Sequence, residues 1–418
     1  MMFVRKKKTV VVGIVLVALI TFLAWRLIRP MNVFVVSEAF ERPVSTAGMP
    51  PSLQSLNANG CAGCHQEFYE EWSTSIHSQA WTDPYFQADW AFDGKPQICK
   101  NCHIPLDRQQ EHKVVGFNDQ EKWQPILEPN PAFDKQLQHE GVTCAACHLR
   151  NGKILGPYGS GSAAHPVEKL ANPNEVCFKC HVVGGKRWDT FLRFPPCGTV
   201  AEIRNTPGAT KDTPHVAANG TAGREAVGPG DASPDCVQCH MPLAERPLVA
   251  GGQVRTVRRH LWRGGHDPEM VKQGLEVALR EAPAPSPDKR SFTLTLTNAG
   301  AAHYLPTGTP DRQLTASIRL VDQSGAVLRE DHHVLKRSIL WRPFIVDLRD
   351  TRLPRGQPRV FQFDVDPRRD PTAVAMEAQV QYHLLGEDRR RRIGYENKEP
   401  IAYDVFRARI TLNREKTN

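Results

Sequence analysis

The chain has 418 residues, of which 23% are charged and 40% hydrophobic, a composition that excludes collagen-like and low-complexity proteins. Most of the formal net charge of +8 comes from residues 1–30, which hold six basic residues and no acidic one. The other 47 basic and 45 acidic residues leave the rest of the chain nearly neutral. Because it lacks the basic surface that nucleic-acid binding requires, we expect no nucleic-acid partner.

A long apolar segment follows the first basic residues. Residues 9–28 read TVVVGIVLVALITFLAWRLI and carry one charge, that of Arg26. About 20 apolar residues span a bilayer, and the preceding basic cluster favours a cytoplasmic N-terminus. A cleaved signal peptide, the alternative, has a shorter apolar region followed closely by its cleavage site. We predict an uncleaved signal anchor over residues 1–29, a single transmembrane helix in the inner membrane that leaves the bulk of the chain in the periplasm.

Ten of the eleven cysteines belong to five copies of the pattern C-x-x-C-H, the attachment signature of c-type haem. Two thiols one helical turn apart can bond the vinyl groups on one porphyrin edge, and the adjacent histidine binds the iron. Zinc sites and disulfides are the alternatives, but neither needs a histidine after every second cysteine. The sequence therefore predicts five covalently bound c-type haems, with thioether bonds to Cys61, Cys64, Cys99, Cys102, Cys144, Cys147, Cys177, Cys180, Cys236 and Cys239 and proximal ligands His65, His103, His148, His181 and His240.

The eleventh cysteine, Cys197, stands alone in the sequence Phe-Pro-Pro-Cys-Gly. It suits an intermolecular disulfide, an unusual iron ligand or a small buried apolar side chain. We favour the buried side chain, because unpaired cysteines ordinarily behave as small hydrophobic residues.

Each haem iron has a sixth coordination position, and eleven histidines lie outside the five motifs. A histidine in the sixth position makes a low-spin electron carrier, whereas an open position makes a site for substrate. Methionine can also fill the position, and Met241 and Met270 are weaker candidates. From their positions relative to the motifs, the candidate distal ligands are His77, His139, His266, His260, His303 and His165.

Three segments carry a resemblance to a known family. The first motif is followed by x-x-x-Tyr-x-x-Trp-x-x-Ser-x-His77, the third is preceded by His139-Glu-Gly-Val-Thr, and the fifth is followed by Met241-Pro242. Over roughly residues 57–270 the chain resembles the multihaem cytochromes c related to hydroxylamine oxidoreductase and its four-haem electron acceptor. The resemblance implies that His77 is the distal ligand of a different haem. The chain departs from the four-haem acceptor by its fifth motif and its C-terminal extension.

The haem motifs define the domain organisation of the first two thirds of the chain. Residues 30–56 predict an extended tether. Residues 57–275 hold the five motifs among short helices and long loops, which predicts a mainly α or irregular multihaem domain whose core is largely porphyrin. The Gly-, Ala- and Thr-rich stretch 198–235 predicts a surface loop.

The composition changes near the Pro-rich segment 283–287. Alternating apolar and polar residues then predict an all-β domain over residues 276–418, an immunoglobulin-like sandwich. Between two of its strands, Arg389–Arg392 predicts a solvated hairpin tip or a docking patch for an acidic partner or anionic lipid. The predicted strands cover Ser291–Thr297, Leu314–Val321, Arg359–Val365, Ala373–Leu385 and Ile401–Leu412.

These features predict an electron-transfer protein of respiration rather than an enzyme. Closely spaced haems would carry electrons between a membrane donor and a redox partner. The expected partners are redox proteins of the periplasm or inner membrane, with the chain a subunit of a larger respiratory complex as one arrangement. Two alternatives stay open: an oxidoreductase with one five-coordinate haem that acts on a small nitrogen or sulfur species, and a quinol dehydrogenase.

Overall fold

The structure, a computed structural model, describes residues 2–28, 41–53, 55–159, 163–181, 190–191, 197–205, 236–284, 286 and 288–412. It begins with α1 (Met2–Ile28), so the predicted N-terminal helix is confirmed as a helix. The segment Val10–Leu27 is long and apolar enough to cross a membrane, and its side chains are almost all exposed. Membrane crossing itself stays a prediction.

Only part of the predicted tether lies within the described residues, and that part does not form an extended linker. Val44 is buried and packs with Leu106, Leu137 and Leu149. Its amide nitrogen donates to the Pro105 carbonyl at 2.6 Å. Because burial of an apolar side chain offsets the entropy of ordering the backbone, residues 41–53 belong to the folded unit.

The region that contains the motifs is built from short helices and small sheets. Its strands form a two-stranded sheet β1–β2, a three-stranded sheet β3–β4–β5 and a two-stranded sheet β7–β8. The helices are α2 (Ala58–Ser73), α3 (Pro84–Phe92), α4 (Gln97–His103), α5 (Lys135–His139), α6 (Cys144–His148), α7 (Asn174–His181), α8 (Thr199–Arg204), α9 (Cys236–His240) and α10 (Pro268–Gly274). The strands are β1 (His112–Phe117), β2 (Pro125–Pro129), β3 (Leu149–Arg150), β4 (Lys153–Gly156), β5 (Val167–Lys169), β6 (Thr190–Phe191), β7 (Leu243–Pro247) and β8 (Val254–Arg258).

The C-terminal part of the chain is β-structure, as the alternating pattern predicts. It contains a three-stranded sheet in the order β14–β10–β9. It also supplies every strand but β6 of a six-stranded sheet in the order β16–β15–β11–β12–β13–β6. A short helix, α11 (Glu387–Arg392), stands between β15 and β16. The strands are β9 (Leu275–Ala282), β10 (Arg290–Asn298), β11 (Gln313–Asp322), β12 (Val327–Leu340), β13 (Ile345–Asp350), β14 (Arg359–Val365), β15 (Ala373–His383) and β16 (Ala402–Thr411).

The two C-terminal sheets share one apolar core. Phe292 of β10 and Phe363 of β14 come from the smaller sheet, and Ile318 of β11 and Val380 of β15 come from the larger. Along β10 every second side chain is fully buried, the period that a strand with one face on the core produces. All five predicted strands are confirmed to within a few residues, and β9 begins at the predicted domain boundary. The immunoglobulin-like topology stays a prediction.

Many contacts join the haem-motif region to the β-structure, among them one strand pair and two salt bridges. β6 pairs in parallel with β13. Arg352 forms a salt bridge with Glu202 of α8 at 2.5 Å. Arg389, on α11, forms a salt bridge with Asp89 of α3 at 2.6 Å. The predicted solvated hairpin tip is therefore a short helix whose first arginine binds the neighbouring region. Most of the predicted surface loop, residues 206–235, lies outside the described residues.

Candidate functional site

One cavity of about 3770 Å³ runs between the motif-bearing helices and the β-structure. An ordinary ligand pocket measures roughly 300–1,000 Å³, so this one is several times larger. Both cysteines and the histidine of every C-x-x-C-H motif line it. Five separate stretches of sequence therefore face one common space, which suits several large prosthetic groups in contact.

The motif ends the helix in α4 and α7 and forms a single turn of helix in α6 and α9. In α2 it lies in the first part of the helix and ends at a kink at His65. This geometry puts the two cysteines of a motif on one face, as thioether attachment to a porphyrin edge requires. The motifs also approach one another in pairs. The Cys61 and Cys144 thiols are neighbours that shift each other's pKa, and so are the Cys102 and Cys180 thiols. Groups attached at paired motifs would be close neighbours.

Four of the five motif histidines face a second histidine across the cavity. A metal ion bonded to two opposed imidazoles at about 2.0–2.1 Å each separates their ring centres by roughly 6 Å. The observed centre-to-centre distances are 6.4 Å for His65 and His165, 6.3 Å for His181 and His77, 5.9 Å for His148 and His260, and 6.4 Å for His240 and His303.

Backbone hydrogen bonds fix the orientation of these rings. The Nδ1 atoms of six motif and opposed histidines lie 2.6–3.0 Å from backbone carbonyl oxygens. A proton on Nδ1 that donates to a carbonyl leaves Nε2 unprotonated and free to bind a metal. The six histidines and their acceptors are His65 with Leu248, His103 with Ala80, His148 with Leu155, His240 with Arg263, His260 with Arg258 and His303 with Tyr304.

Burial keeps three of the four opposed histidines neutral. It lowers the pKa of His77 to about 3, an effect to which the neighbouring His181 adds. Burial likewise lowers the pKa of His260 and of His303 to about 4. A neutral imidazole is the form that ligates a metal, so these side chains are ready to bind iron at physiological pH.

The cysteines and histidines around the cavity fit haem better than they fit zinc sites or disulfides, the two alternatives that cysteine pairs suggest. All eleven cysteines are free thiols, so none is in a disulfide. Among the described residues, no three His, Cys, Asp or Glu side chains gather into a site for a protein-ligated metal. His165 adds a buried Nδ1 without a hydrogen-bond partner. Paired imidazoles on opposite sides of a gap suit an iron whose other four ligands come from a porphyrin.

The structure separates the six candidate distal ligands into three groups. His77, His165, His260 and His303 each face a motif histidine. His266 lines the cavity but makes no ring contact with a motif histidine among the described residues, and burial lowers its pKa to about 4. His139 ends α5, is exposed and does not line the cavity, so the structure gives it no part in the site.

His103 of the second motif differs from the other four motif histidines. No histidine ring among the described residues lies opposite it at the separation seen in the four pairs. The Phe86 ring stacks on it at a centre-to-centre distance of 3.5 Å. The lone Cys197 lines the same cavity and is half-buried, not fully buried as predicted, and the partial burial raises the pKa of its thiol to about 11. The second motif is therefore where an incomplete ligand set is expected.

Sequence reasoning missed several residues that support the site. The Trp262 ring contacts His77 at 4.9 Å and His260 at 5.0 Å, edge to face. Arg312 is half-buried and lines the cavity, with its guanidinium beside Tyr382. The stretch between His260 and His266 could have drawn attention to Trp262. Nothing in the sequence pattern marks Arg312, because its role depends on the packing of the β-structure against the cavity.

Glu71, another missed residue, anchors the segment that carries His260. Its carboxylate accepts hydrogen bonds from Arg246 at 2.7 and 2.8 Å, from Arg259 at 2.7 Å and from the backbone nitrogen of His260 at 2.8 Å. Burial alone would raise the pKa of Glu71, but these bonds outweigh it and lower the pKa to about 2. The ionised carboxylate thus ties α2 to a candidate distal ligand of the third motif.

We expect Glu71→Gln to lower the free energy of unfolding at pH 7 by about 2 kcal/mol, because charge-assisted hydrogen bonds are lost. The pKa of Glu71 is lower in the folded chain than in the unfolded chain, so the ionised carboxylate stabilises the fold at pH values above the unfolded pKa. This contribution disappears as the pH falls through the folded pKa. The difference between wild type and variant should therefore shrink between pH 4.5 and about 2. Denaturant unfolding of the holoprotein across this range measures it. Glu67→Gln, at an exposed partner of Arg246, is the control and should change little.

Comparison with solved structures identifies the fold. A penta-haem cytochrome c552 from Thermochromatium tepidum superposes with a TM-score of 0.60 at 18% sequence identity, over 87% of this chain and 100% of the other. The chain has a penta-haem cytochrome c fold. This likeness covers the motif-bearing region and the β-structure together. No protein-family profile and no curated protein sequence matches the chain.

Two further solved structures match a smaller part of this cytochrome fold. A Northeast Structural Genomics Consortium target covers 34% of this chain and 92% of its own, at 13% identity and a TM-score of 0.17. A putative beta-galactosidase from Bacteroides fragilis covers 34% of this chain and 16% of its own, at 14% identity and a TM-score of 0.16. Likenesses this weak carry no argument about function. The relation to hydroxylamine oxidoreductase stays a prediction.

Proposed function

We propose that this chain is a membrane-anchored, periplasmic pentahaem c-type cytochrome that transfers electrons between a membrane donor and a redox partner. The observation that carries the proposal is the set of four opposed histidine pairs on one cavity, each at the spacing of two ligands to one iron. A haem with two histidine ligands supplies a low-spin iron that gains and loses one electron.

The protein's own residues would hold the five haems close together. The first motif packs beside the third and the second beside the fourth. The Trp262 ring links the third position to the fourth, because it contacts both His260 and His77. His240 of the fifth motif lies near enough to His181 of the fourth to lower its pKa. Contacts of this kind support a connected path through all five positions. The partners are proposed to be redox proteins of the periplasm or inner membrane, and a larger respiratory complex would bring them together.

One observation favours a second candidate function. Because His103 faces no histidine among the described residues, the second motif is where a five-coordinate haem would stand. Such an iron has a free position for a small nitrogen or sulfur species, and the protein would then be an oxidoreductase. The Arg312 guanidinium, which lines the same cavity, would attract an anionic substrate.

Carbon monoxide binding tests the ligand assignment on which both functions rest. We expect at most one haem in five to bind the gas, because four irons have both axial positions filled. Optical titration of the reduced holoprotein, with electron paramagnetic resonance of the oxidised form, counts the reactive and high-spin haems. Binding by two or more haems contradicts the four-pair assignment.

Turnover then separates the carrier from the enzyme. A carrier reduced by methyl viologen should pass electrons to a soluble cytochrome, and nitrite, hydroxylamine and sulfite should not reoxidise it over repeated cycles. Sustained consumption of one of these species would establish the oxidoreductase instead. Failure of the haems to undergo reversible reduction would rule out both functions.

Membrane anchoring is tested on the same full-length protein. We expect it to stay in carbonate-washed membranes, and a variant in which a cleavable signal peptide replaces residues 1–28 to be recovered in the soluble periplasmic fraction with its haems. Release of the full-length protein by carbonate would contradict the anchor.

A further inference from the structure

The end of the N-terminal helix contacts the turn between β12 and β13. Nη1 of Arg342 donates a hydrogen bond to the Leu27 carbonyl at 2.7 Å. Nε of Arg26 donates to the Pro343 carbonyl at 3.1 Å. The rings of Phe22 and Phe344 lie 6.1 Å apart. If α1 spans the membrane, residues 341–344 lie at the bilayer surface, because α1 ends against them.

The other side of this turn packs on the second motif. Ile345 is buried, with 1% of its surface exposed, and is covered by the side chains of four neighbouring residues. One of them is Ile98, which directly precedes Cys99 on α4. We name these neighbours, with Arg342, the anchor-side wall: Ile98, Trp123, Ile339, Trp341 and Arg342.

The haem cavity reaches this turn. All five residues of the anchor-side wall line the cavity, together with Cys99 and Cys102. Arg342 thus contacts the end of α1 and the space around the second motif with one side chain. A lipid-soluble molecule that leaves the bilayer beside α1 would meet this motif first.

The wall has the chemistry of a site for an amphiphilic aromatic ligand. Its isoleucines and tryptophans are apolar, and tryptophan is the residue that membrane proteins favour at the interface. Two carboxylates, Asp89 and Asp93, line the same cavity and lie near Cys99. Arg389 binds Asp89 at 2.6 Å and lies 3.8 Å from Asp93. Burial and the neighbouring Asp89 raise the pKa of Asp93, which makes it a better proton acceptor than an exposed aspartate.

We propose that the anchor-side wall binds a lipid-soluble quinol and makes the second motif the place where electrons leave the membrane. This inference rests on the proposed anchored electron-transfer function. Oxidation of a quinol to a quinone releases two electrons and two protons, and bound haem supplies one-electron acceptors, so two ferric irons become ferrous for each quinol. Asp93 accepts the two protons one after the other and releases each to water, since its carboxylate is partly exposed.

A binding experiment tests the site without turnover. The full-length holoprotein, in vesicles of phosphatidylethanolamine and phosphatidylglycerol, is titrated with heptylhydroxyquinoline N-oxide, a fluorescent quinol-site ligand. We expect saturable quenching at one ligand per protein, and at least tenfold weaker binding in Trp341→Ala and in Arg342→Gln. Leu348→Ala, at an exposed apolar residue of β13, is the matched control and should bind as the wild type does. Absence of saturable binding to the wild type, or unchanged binding in both wall variants, would overturn the proposal.

A kinetic experiment separates this proposal from the one on which it rests. Decylubiquinol and reduced methyl viologen are each mixed with the oxidised holoprotein, and haem reduction is followed optically. We expect Asp93→Asn and Trp341→Ala to slow reduction by the quinol at least tenfold and to leave reduction by viologen within twofold, which also shows that the variants fold and hold haem. Wild-type protein that viologen reduces and the quinol does not would overturn the quinol site alone. Protein that neither donor reduces would overturn the electron-transfer function itself.

Discussion

Replacing His303 with alanine is expected to turn one of the five haems from a low-spin, gas-inert group into a high-spin group that binds carbon monoxide. The His303 ring lies 6.4 Å from that of His240, and the two planes differ by 15°. Its Nδ1 lies 2.9 Å from the Tyr304 carbonyl, so Nε2 is the atom left for iron. Removal of the ring empties one axial position and leaves the attachment at Cys236 and Cys239 intact. Carbon monoxide titration of the reduced protein should show one more reactive haem than in the wild type.

The control for this prediction is His139→Ala. His139 stood beside His303 among the sequence-based candidates, yet it is exposed and outside the cavity. Its replacement should leave the spectrum and the carbon monoxide stoichiometry as they are in the wild type. If His139→Ala creates a gas-binding haem and His303→Ala does not, the assignment of the fifth motif's distal ligand is wrong.

The Arg352→Met variant is expected to lose about 3–5 kcal/mol of stability, the usual cost of removing one partner from a buried ion pair. Arg352 binds Glu202 at 2.5 Å and Asp350 at 2.7 Å, and the exposed fractions of Arg352 and Glu202 are 4% and 1%. Glu202 also accepts from Thr307 at 2.6 Å, next to the loop that carries His303. Without the arginine, a buried carboxylate has lost its main counter-charge. Thermal unfolding of the holoprotein measures the loss.

Two further variants make this prediction specific. Arg368→Met removes an arginine whose salt bridge with Asp288 is largely exposed, and it should cost less than about 1 kcal/mol. The double variant of Arg352→Met with Glu202→Leu should recover much of the loss, because no unpaired charge is then buried. An Arg352→Met protein as stable as the Arg368→Met protein would mean that the buried pair contributes little.

The helices that carry the motifs and the strands of the β-structure could be predicted from the sequence. Each C-x-x-C-H motif lies on a helix, because thiols at i and i+3 share a face only there. The strands of the β-structure follow from period-2 alternation, as in β10 and β14. Neither inference needs knowledge of distant contacts. The same reasoning could not predict which histidine faces which motif, since partners such as His148 and His260 lie far apart in the chain and meet only after the fold has formed.

His139 illustrates how nearness in sequence misleads. It precedes the third motif by a few residues, but α5 buries Leu137 and Gln138, and His139 falls on the exposed side of this short helix. His165 illustrates the reverse case. It lies in a Gly- and Ser-rich stretch with no periodic signal, and only the tertiary fold places it across from His65. Whether a histidine reaches a motif histidine depends on which face of its helix it occupies, or on where its loop runs in the folded chain.

The separation of paired ligands along the chain sets an order of assembly. Synthesis proceeds from the N-terminus, so all five attachment motifs have been made before His303, which lies beyond β10. The group attached at Cys236 and Cys239 must therefore wait for part of the β-structure to fold before its second ligand arrives. Until then this position would be open to stray ligands and oxidants, in addition to the second motif. Docking of the loop that carries His303 and closing of this iron would thus be one event, so a chain that stalls before it should show one more high-spin haem than the mature protein.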